Sequence, residues 1–127
     1  MYQEVTQDVQ VVAQPRYVPE QSVPGRSYFF FAYRIKITNL SQAPVRLVSR
    51  KWLITDGHGK VQEVSGPGVV GHQPKIPPGE SFEYESFCPL PTPTGNMRGS
   101  YQMVDDAGQE YDIRIPLFFL RDSGSLH

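Results

Sequence analysis

Residues 26–39 read RSYFFFAYRIKITN, and this stretch decides the fold. Phe29, Phe31, Tyr33, Ile35 and Ile37 fall on one parity, while Arg34, Lys36 and Thr38 fall on the other. Apolar residues at a period of two, rich in aromatic and β-branched side chains, are the signature of a half-buried strand. Tyr28, Phe29, Phe30 and Phe31 are consecutive, so a strand must send two of them to each face. Phe29 and Phe31 belong with the core. Phe30 and Ala32 then lie on the opposite face, where Phe30 is either exposed as a contact surface or packed under the proline-rich segment 89–95.

Working outward, the same alternation recurs in short runs. Residues 8–12, with Val9 and Val11 on one face, form an opening strand expected to end at Pro15. Residues 44–55 form another. There Val45 and Leu47 are odd but Val48, Trp52 and Ile54 are even, and such a phase slip is what a β-bulge produces. Asp56-Gly57-His58-Gly59 is a tight turn leading into a strand over 60–65. Residues 81–88 set Phe82, Tyr84 and Ser86 against Glu83, Glu85 and Phe87. Residues 89–99, PLPTPTGNMRG, read as an irregular loop, and residues 100–104 and 109–119 as a last hairpin. Seven or eight strands separated by turns, with no convincing helix, imply an all-β fold: an antiparallel β-sandwich of immunoglobulin-like or fibronectin type III-like kind. A closed barrel is the alternative. Trp52 belongs in the core between the sheets. One domain over residues 1–127 is expected, with an ordered core at about 4–120 and a mobile tail over 121–127.

Composition narrows the function classes. Twelve Lys and Arg face thirteen Asp and Glu, a formal net charge of −1, and the charges are scattered. That balance argues against nucleic acid as a general partner. The apolar runs 28–33 and 115–120 are too short to insert in a bilayer. Cys88 is the only cysteine and has no internal disulfide partner. MYQEVTQDVQ lacks the apolar region of a signal peptide, so a cytoplasmic protein is expected.

One motif hints at chemistry. Residues 65–74, SGPGVVGHQP, contain G-x-G-x-x-G at Gly66, Gly68 and Gly71. In dinucleotide-binding folds this spacing works at a strand-to-helix turn, where the helix N-terminus faces pyrophosphate. Here Pro67 removes a donor from inside the motif, and Pro74, Pro77 and Pro78 forbid a helix after it. The expectation is a structural loop. The alternative is a weak anion-binding nest of Gly66, Gly68, Gly71 and His72, with charge from Arg50, Lys51 and Lys75.

No other cluster points to catalysis or a metal. His58, His72 and His127 have no ligand spacing among them. Asp105, Asp106 and Glu110 read as a solvated hairpin tip rather than a hard-cation site. Cys88 has no neighbouring base and reads as a small buried hydrophobe. Glu83 and Glu85 share a strand face, which suits either an acid–base pair or a solvated surface. No catalytic residue, metal ligand or cofactor is therefore assigned.

Four local patterns carry a family likeness: residues 50–57, RKWLITDG; residues 66–74, GPGVVGHQP; residues 93–101, PTGNMRGSY; and residues 113–120, IRIPLFFL. Together they span most of the chain and resemble the bacterial ApaG family. The resemblance implies a fibronectin type III-like sandwich, in agreement with the strand count. It also implies an association with cobalt tolerance and magnesium efflux, and gene neighbourhoods that include dinucleoside-tetraphosphate hydrolysis. Related eukaryotic domains are joined to F-box and polymerase-associated proteins. The functional expectation is a non-enzymatic binding or regulatory module that contacts a protein partner through a sheet face or edge strand. A homodimer is compatible with this, and a phosphate or nucleotide ligand at the Gly66–Gly71 loop is the alternative.

Overall fold

The computed structural model describes residues 1–122. Nine strands make up most of it: β1 (Tyr2–Thr6), β2 (Val9–Tyr17), β3 (Phe29–Asn39), β4 (Val45–Asp56), β5 (Val61–Pro67), β6 (Lys75–Ile76), β7 (Ser81–Leu90), β8 (Thr94–Asp105) and β9 (Glu110–Arg121). Two single 3₁₀ turns, Pro19–Gln21 and Pro24–Arg26, join β2 to β3. One sheet has the order β1-β2-β3-β7. The other runs β5-β4-β8-β9, with β6 beside the start of β4. Every pairing is antiparallel, and the two sheets pack face to face as a β-sandwich.

The decisive stretch forms β3. Phe29, Phe31, Tyr33, Ile35 and Ile37 are all buried, as their alternation predicts. Trp52 faces them from β4. Its ring meets Tyr33 edge-on at 5.3 Å and stands at 90° to Phe118 at 6.0 Å. Such edge-to-face contacts add to the stabilisation from buried apolar area. The expected bulge is present: the β4–β8 register skips between Leu47 and Ser49, leaving Val48 unpaired with β8. Val45 and Leu47 before it, and Trp52 after it, thereby all point inward.

Three expectations need correction. Strand β1 has no apolar alternation of its own and is held by its neighbours. Tyr2 packs on Phe118 with ring centroids 6.2 Å apart, and Glu4 pairs with Arg114 of β9 at 2.7 Å. Pro15 does not end β2, which continues to Tyr17. β1 reaches only as far as Ala13, and Pro15 sits on the edge that β1 leaves open, so its missing N–H costs no ladder bond. The segment 89–99 is largely strand, with Pro89 and Leu90 in β7 and Thr94 onward in β8. Gly99 hid it: a Cβ there would lie 2.0 Å from the Lys51 carbonyl oxygen, so β8 needs a residue without a side chain at this point. At the C-terminus, where a mobile tail over 121–127 is expected, Arg121 closes β9 and the Asp122 N–H donates to the Pro93 carbonyl at 2.9 Å. The rest of that tail, 123–127, lies outside the described residues.

Ile35 is fully buried in the centre of the β3 face. Ile35→Ala is expected to lower unfolding stability by about 2–5 kcal/mol, read from urea denaturation at constant m-value. A loss below about 0.5 kcal/mol, the range of ordinary surface changes, contradicts this packing.

Candidate functional site at the open side of the sandwich

The two long sides of the sandwich close differently. On one side β1 reaches over to β9 through Glu4, Thr6 and Tyr2. On the other, β7 and β5 end their sheets, and among the described residues no strand joins them. The loop that follows β5 lies on this open side and plugs it with Val69, which is buried.

The bulge in β4 organises that loop. Its displaced Val48 carbonyl accepts from the Gly68 N–H at 2.8 Å and from the Gln73 side-chain amide at 2.9 Å. Val69 and His72 exchange backbone hydrogen bonds at 2.8 and 2.9 Å, and the Leu47 N–H donates to the Pro74 carbonyl at 3.0 Å. Gly68 has φ +59, and a Cβ on it would lie 2.1 Å from the His72 carbonyl oxygen. Only glycine fits. Val70, exposed at the tip, has φ 43, a strained conformation for a β-branched residue.

The residues singled out for an anion do not converge. Arg50 is nearest: Nη1 donates to the Pro67 and Gly68 carbonyls, each at 2.9 Å. Its guanidinium also lies over Gly66, its register partner on β5. Gly71 forms the exposed far side of the loop with φ +83. The His72 ring leans toward Phe82 of β7, with centroids 6.3 Å apart. Lys51 projects from the opposite face of β4 and pairs with Glu63 at 3.3 Å. Lys75 pairs with Asp106 at 2.8 Å, beside the β8–β9 turn. With the Gly68 and Val69 N–H groups bonded inside the loop, at most the Val70 and Gly71 amides and the His72 ring face outward for an anion.

Behind the loop lies a buried polar cluster that sequence reasoning missed. The hydroxyls of Tyr84 and Tyr101 hydrogen-bond to one another in the core. Burial raises both phenols above their ordinary value of 10.0, and their mutual interaction raises Tyr101 further, while the Arg50 charge opposes the shift. Tyr33 is likewise raised, chiefly by burial. Cys88 is buried, as expected, and burial alone pushes its thiol up to about 11, which leaves it protonated and unreactive near neutrality.

The remaining candidates resolve into surface. Glu83 pairs with Arg34 at 3.4 Å and Glu85 with Arg16 at 3.7 Å, so the two carboxylates belong to a charged ladder rather than to each other. Asp105 caps the β8–β9 turn by accepting from the Ala107 and Gln109 N–H groups, and the Tyr111 hydroxyl holds its carboxyl below the usual range. Among the described residues, no three His, Cys, Asp or Glu side chains gather as metal ligands, and no helix is long and apolar enough to cross a membrane.

One apolar surface borders this side. Phe87 of β7 is 52% exposed and Tyr28 39% exposed, on the outer face of the first sheet. Phe30 lies between them, with ring centroids 5.3 Å from Phe87 and 6.2 Å from Tyr28. Phe30 is therefore half-buried beneath aromatic neighbours, with Pro89 opposite it in register. Phe87 is the one aromatic residue on the Glu83–Glu85 face of its strand, a place the alternation of 81–88 gave without marking it as a contact surface.

A family model described as the ApaG domain matches residues 19–105. This chain belongs to the ApaG family. It is 51% identical over 126 residues to Protein ApaG of Rhizobium leguminosarum bv. trifolii, covering 99% of this chain and 97% of that one. It is 50% identical over 120 residues to Protein ApaG of Methylocella silvestris, covering 94% of this chain and 92% of the relative. The crystal structure of a Bordetella pertussis protein described as ApaA is similar throughout, with a TM-score of 0.89 and 51% identity over 91% of this chain and 94% of that one. The matched ApaG segment contains the bulge, the loop over it, the tyrosine pair and the aromatic patch, whereas β1, β2 and β9 fall outside it.

Two outcomes follow from this geometry. Gly68→Ala is expected to lower stability by about 1 kcal/mol or more. The decrement should be the same with and without millimolar ATP in thermal melts; a midpoint rise with ATP that only the glycine protein shows marks a ligand site instead. The second concerns alkaline pH. The buried phenols and the Cys88 thiol keep their protons in the fold, whereas the unfolded chain releases them from about 9.0 for the thiol and 10.0 for the phenols. Groups raised in the fold contribute stability that is full below the unfolded values and is lost as pH climbs through the folded ones. Urea midpoints should therefore fall above pH about 9. Tyrosinate absorbance should show Tyr33, Tyr84 and Tyr101 ionising only together with unfolding.

Proposed function

We propose that this chain is a non-enzymatic, cytoplasmic binding module that works by protein–protein contact, and that its contact surface is the Tyr28–Phe30–Phe87 patch with Pro89. The observation that carries this reading is Phe87, a large aromatic side chain 52% exposed on the strand face that also carries Glu83 and Glu85. Exposed aromatic clusters rimmed by charge are typical centres of protein interfaces. Glu85, Arg16 and Arg34 form that rim here. Pro89 extends the surface into a groove of about 450 Å³ that it lines with Ile54, Val61, Leu90 and Pro91. The other exposed aromatic on a strand face, Phe119, is partly covered by the Arg121 guanidinium 5.8 Å above its ring. The family's implied association with cobalt tolerance and magnesium efflux is placed on the partner: this chain acts on ion handling by contacting a protein that moves or senses the ion.

The test is affinity capture from the native cell with wild-type chain and Phe87→Ser side by side, followed by titration with the purified captured protein. Phe87→Ser is expected to unfold within about 1 kcal/mol of wild type, since the ring is half-exposed. It is expected to bind the purified partner at least about tenfold more weakly. Equal affinity for both chains refutes the patch as the contact surface.

A further inference from the structure

The backbone beside the patch has a direction. Phe30 donates its N–H to the Ser22 hydroxyl at 2.8 Å, and its carbonyl accepts from the Val18 N–H at 2.9 Å. Even-numbered residues of β3 therefore turn their backbone groups toward β2, and odd-numbered ones toward β7. The Asn39 N–H confirms the parity by donating to the Glu80 carbonyl at 3.0 Å. In the register Phe31↔Cys88, Tyr33↔Ser86, Ile35↔Tyr84, it is the even residues of β7 that bond β3. Glu83, Glu85 and Phe87 consequently direct their N–H and C=O groups away from the sheet, along an edge that has no neighbouring strand among the described residues. Pro89 follows at the same parity and supplies no donor, so the usable edge ends there. The side chains of these three residues stand on the outer face in the order Glu, Glu, Phe.

We infer that this edge takes an extended segment of the partner as an added antiparallel strand, and that the segment reads apolar-x-basic-x-basic from its N-terminus. This rests on the protein-contact reading above and specifies its mode. A residue directly opposite an edge-facing residue exchanges both backbone hydrogen bonds with it and sends its side chain to the same face. The apolar residue thus meets Phe87 and widens the aromatic patch, and the two cations meet Glu85 and Glu83. Strand β3 already satisfies β7 from the other side with that chemistry, setting Ala32, Arg34 and Lys36 opposite Phe87, Glu85 and Glu83. A second copy of β7 fits less well. It sets Glu85 against Glu85, or in the next register sets Glu83 against Pro89, which has no N–H to give. Like charges directly opposed are destabilising.

The experiment uses the full isotope-labelled chain and the capped peptide Thr-Phe-Thr-Arg-Thr-Lys-Thr as probe. Saturating peptide is expected to slow hydrogen exchange at the Glu83, Glu85 and Phe87 amides, which exchange fast in the free chain. Replacing the peptide's Arg and Lys by Glu should weaken binding at least about tenfold. N-methylation of its Arg, whose N–H faces the edge, should abolish binding, while N-methylation of the Thr that follows should not. No binding up to millimolar peptide overturns the inference. So does protection of the three amides without peptide that grows with protein concentration, which identifies a second copy as the occupant. Peptide or purified partner that perturbs the Phe87 and Tyr28 rings while the three amides remain unprotected overturns strand addition and leaves the patch reading standing. Equal partner affinity in Phe87→Ser removes the patch reading separately.

Discussion

The carbonyl of Val48, pushed out of the ladder by one extra residue in β4, has to find donors, and the architecture of the open side follows from that need. β4 lies between β5 and β8, so the bulge sits inside a sheet where an unpaired carbonyl is costly. Gly68 and Gln73 supply the donors. To bring both to one oxygen, the chain after β5 must double back tightly, which requires the left-handed Gly68 and the Val69–His72 exchange of hydrogen bonds. The same bulge resets the parity of β4, so that Trp52 reaches Tyr33 and Phe118 and Arg50 reaches the loop carbonyls. Core packing and loop conformation are thus two consequences of one inserted residue.

This coupling accounts for the glycine motif without a nucleotide. The spacing matters in dinucleotide-binding folds because a helix follows and lends its N–H groups and dipole. Here a strand leads into the motif and a proline-rich segment follows, and the Gly68 N–H turns inward to serve β4. Arg50, which in another fold would face a phosphate, is engaged by two carbonyl groups. Closing this side with a loop instead of a strand has a second effect: β7 keeps an unpaired edge next to the exposed Phe87. On the opposite side, β1 and β9 meet through Glu4 and Arg114, and the edges there are shielded by side chains.

The legible parts of the chain were those where side-chain chemistry repeats at the period of the structure. β3 announces itself through five apolar residues on one parity, and the bulge through the change of parity between Leu47 and Trp52. β1 carried no such signal, because its stability comes from Tyr2 on Phe118 and from an ion pair with a residue more than a hundred positions away. The start of β8 was hidden by glycines whose value lies in the close approach of β4 rather than in any preference of their own. Pro15 misled because a proline ends a strand only where its missing N–H would have been used. Of the candidate site, the glycine loop and Phe30 stood out in the sequence. Gln73 and the Tyr84–Tyr101 pair did not, since each acts through a partner from a distant strand.

Taken by itself, the sequence determined the all-β class, the identity of the central β3 face, the place of the bulge and the burial of Cys88. Those properties depend on local periodicity and on hydrophobicity, which are written residue by residue. Tertiary structure alone decided which strands lie at the edges, which way the β7 backbone groups point, that Arg50, Lys51 and Lys75 part company, and that two tyrosine hydroxyls meet in the core. Each is a matter of registration between segments far apart in the chain. Registration is set by the packing of whole sheets against one another, and no single segment carries it.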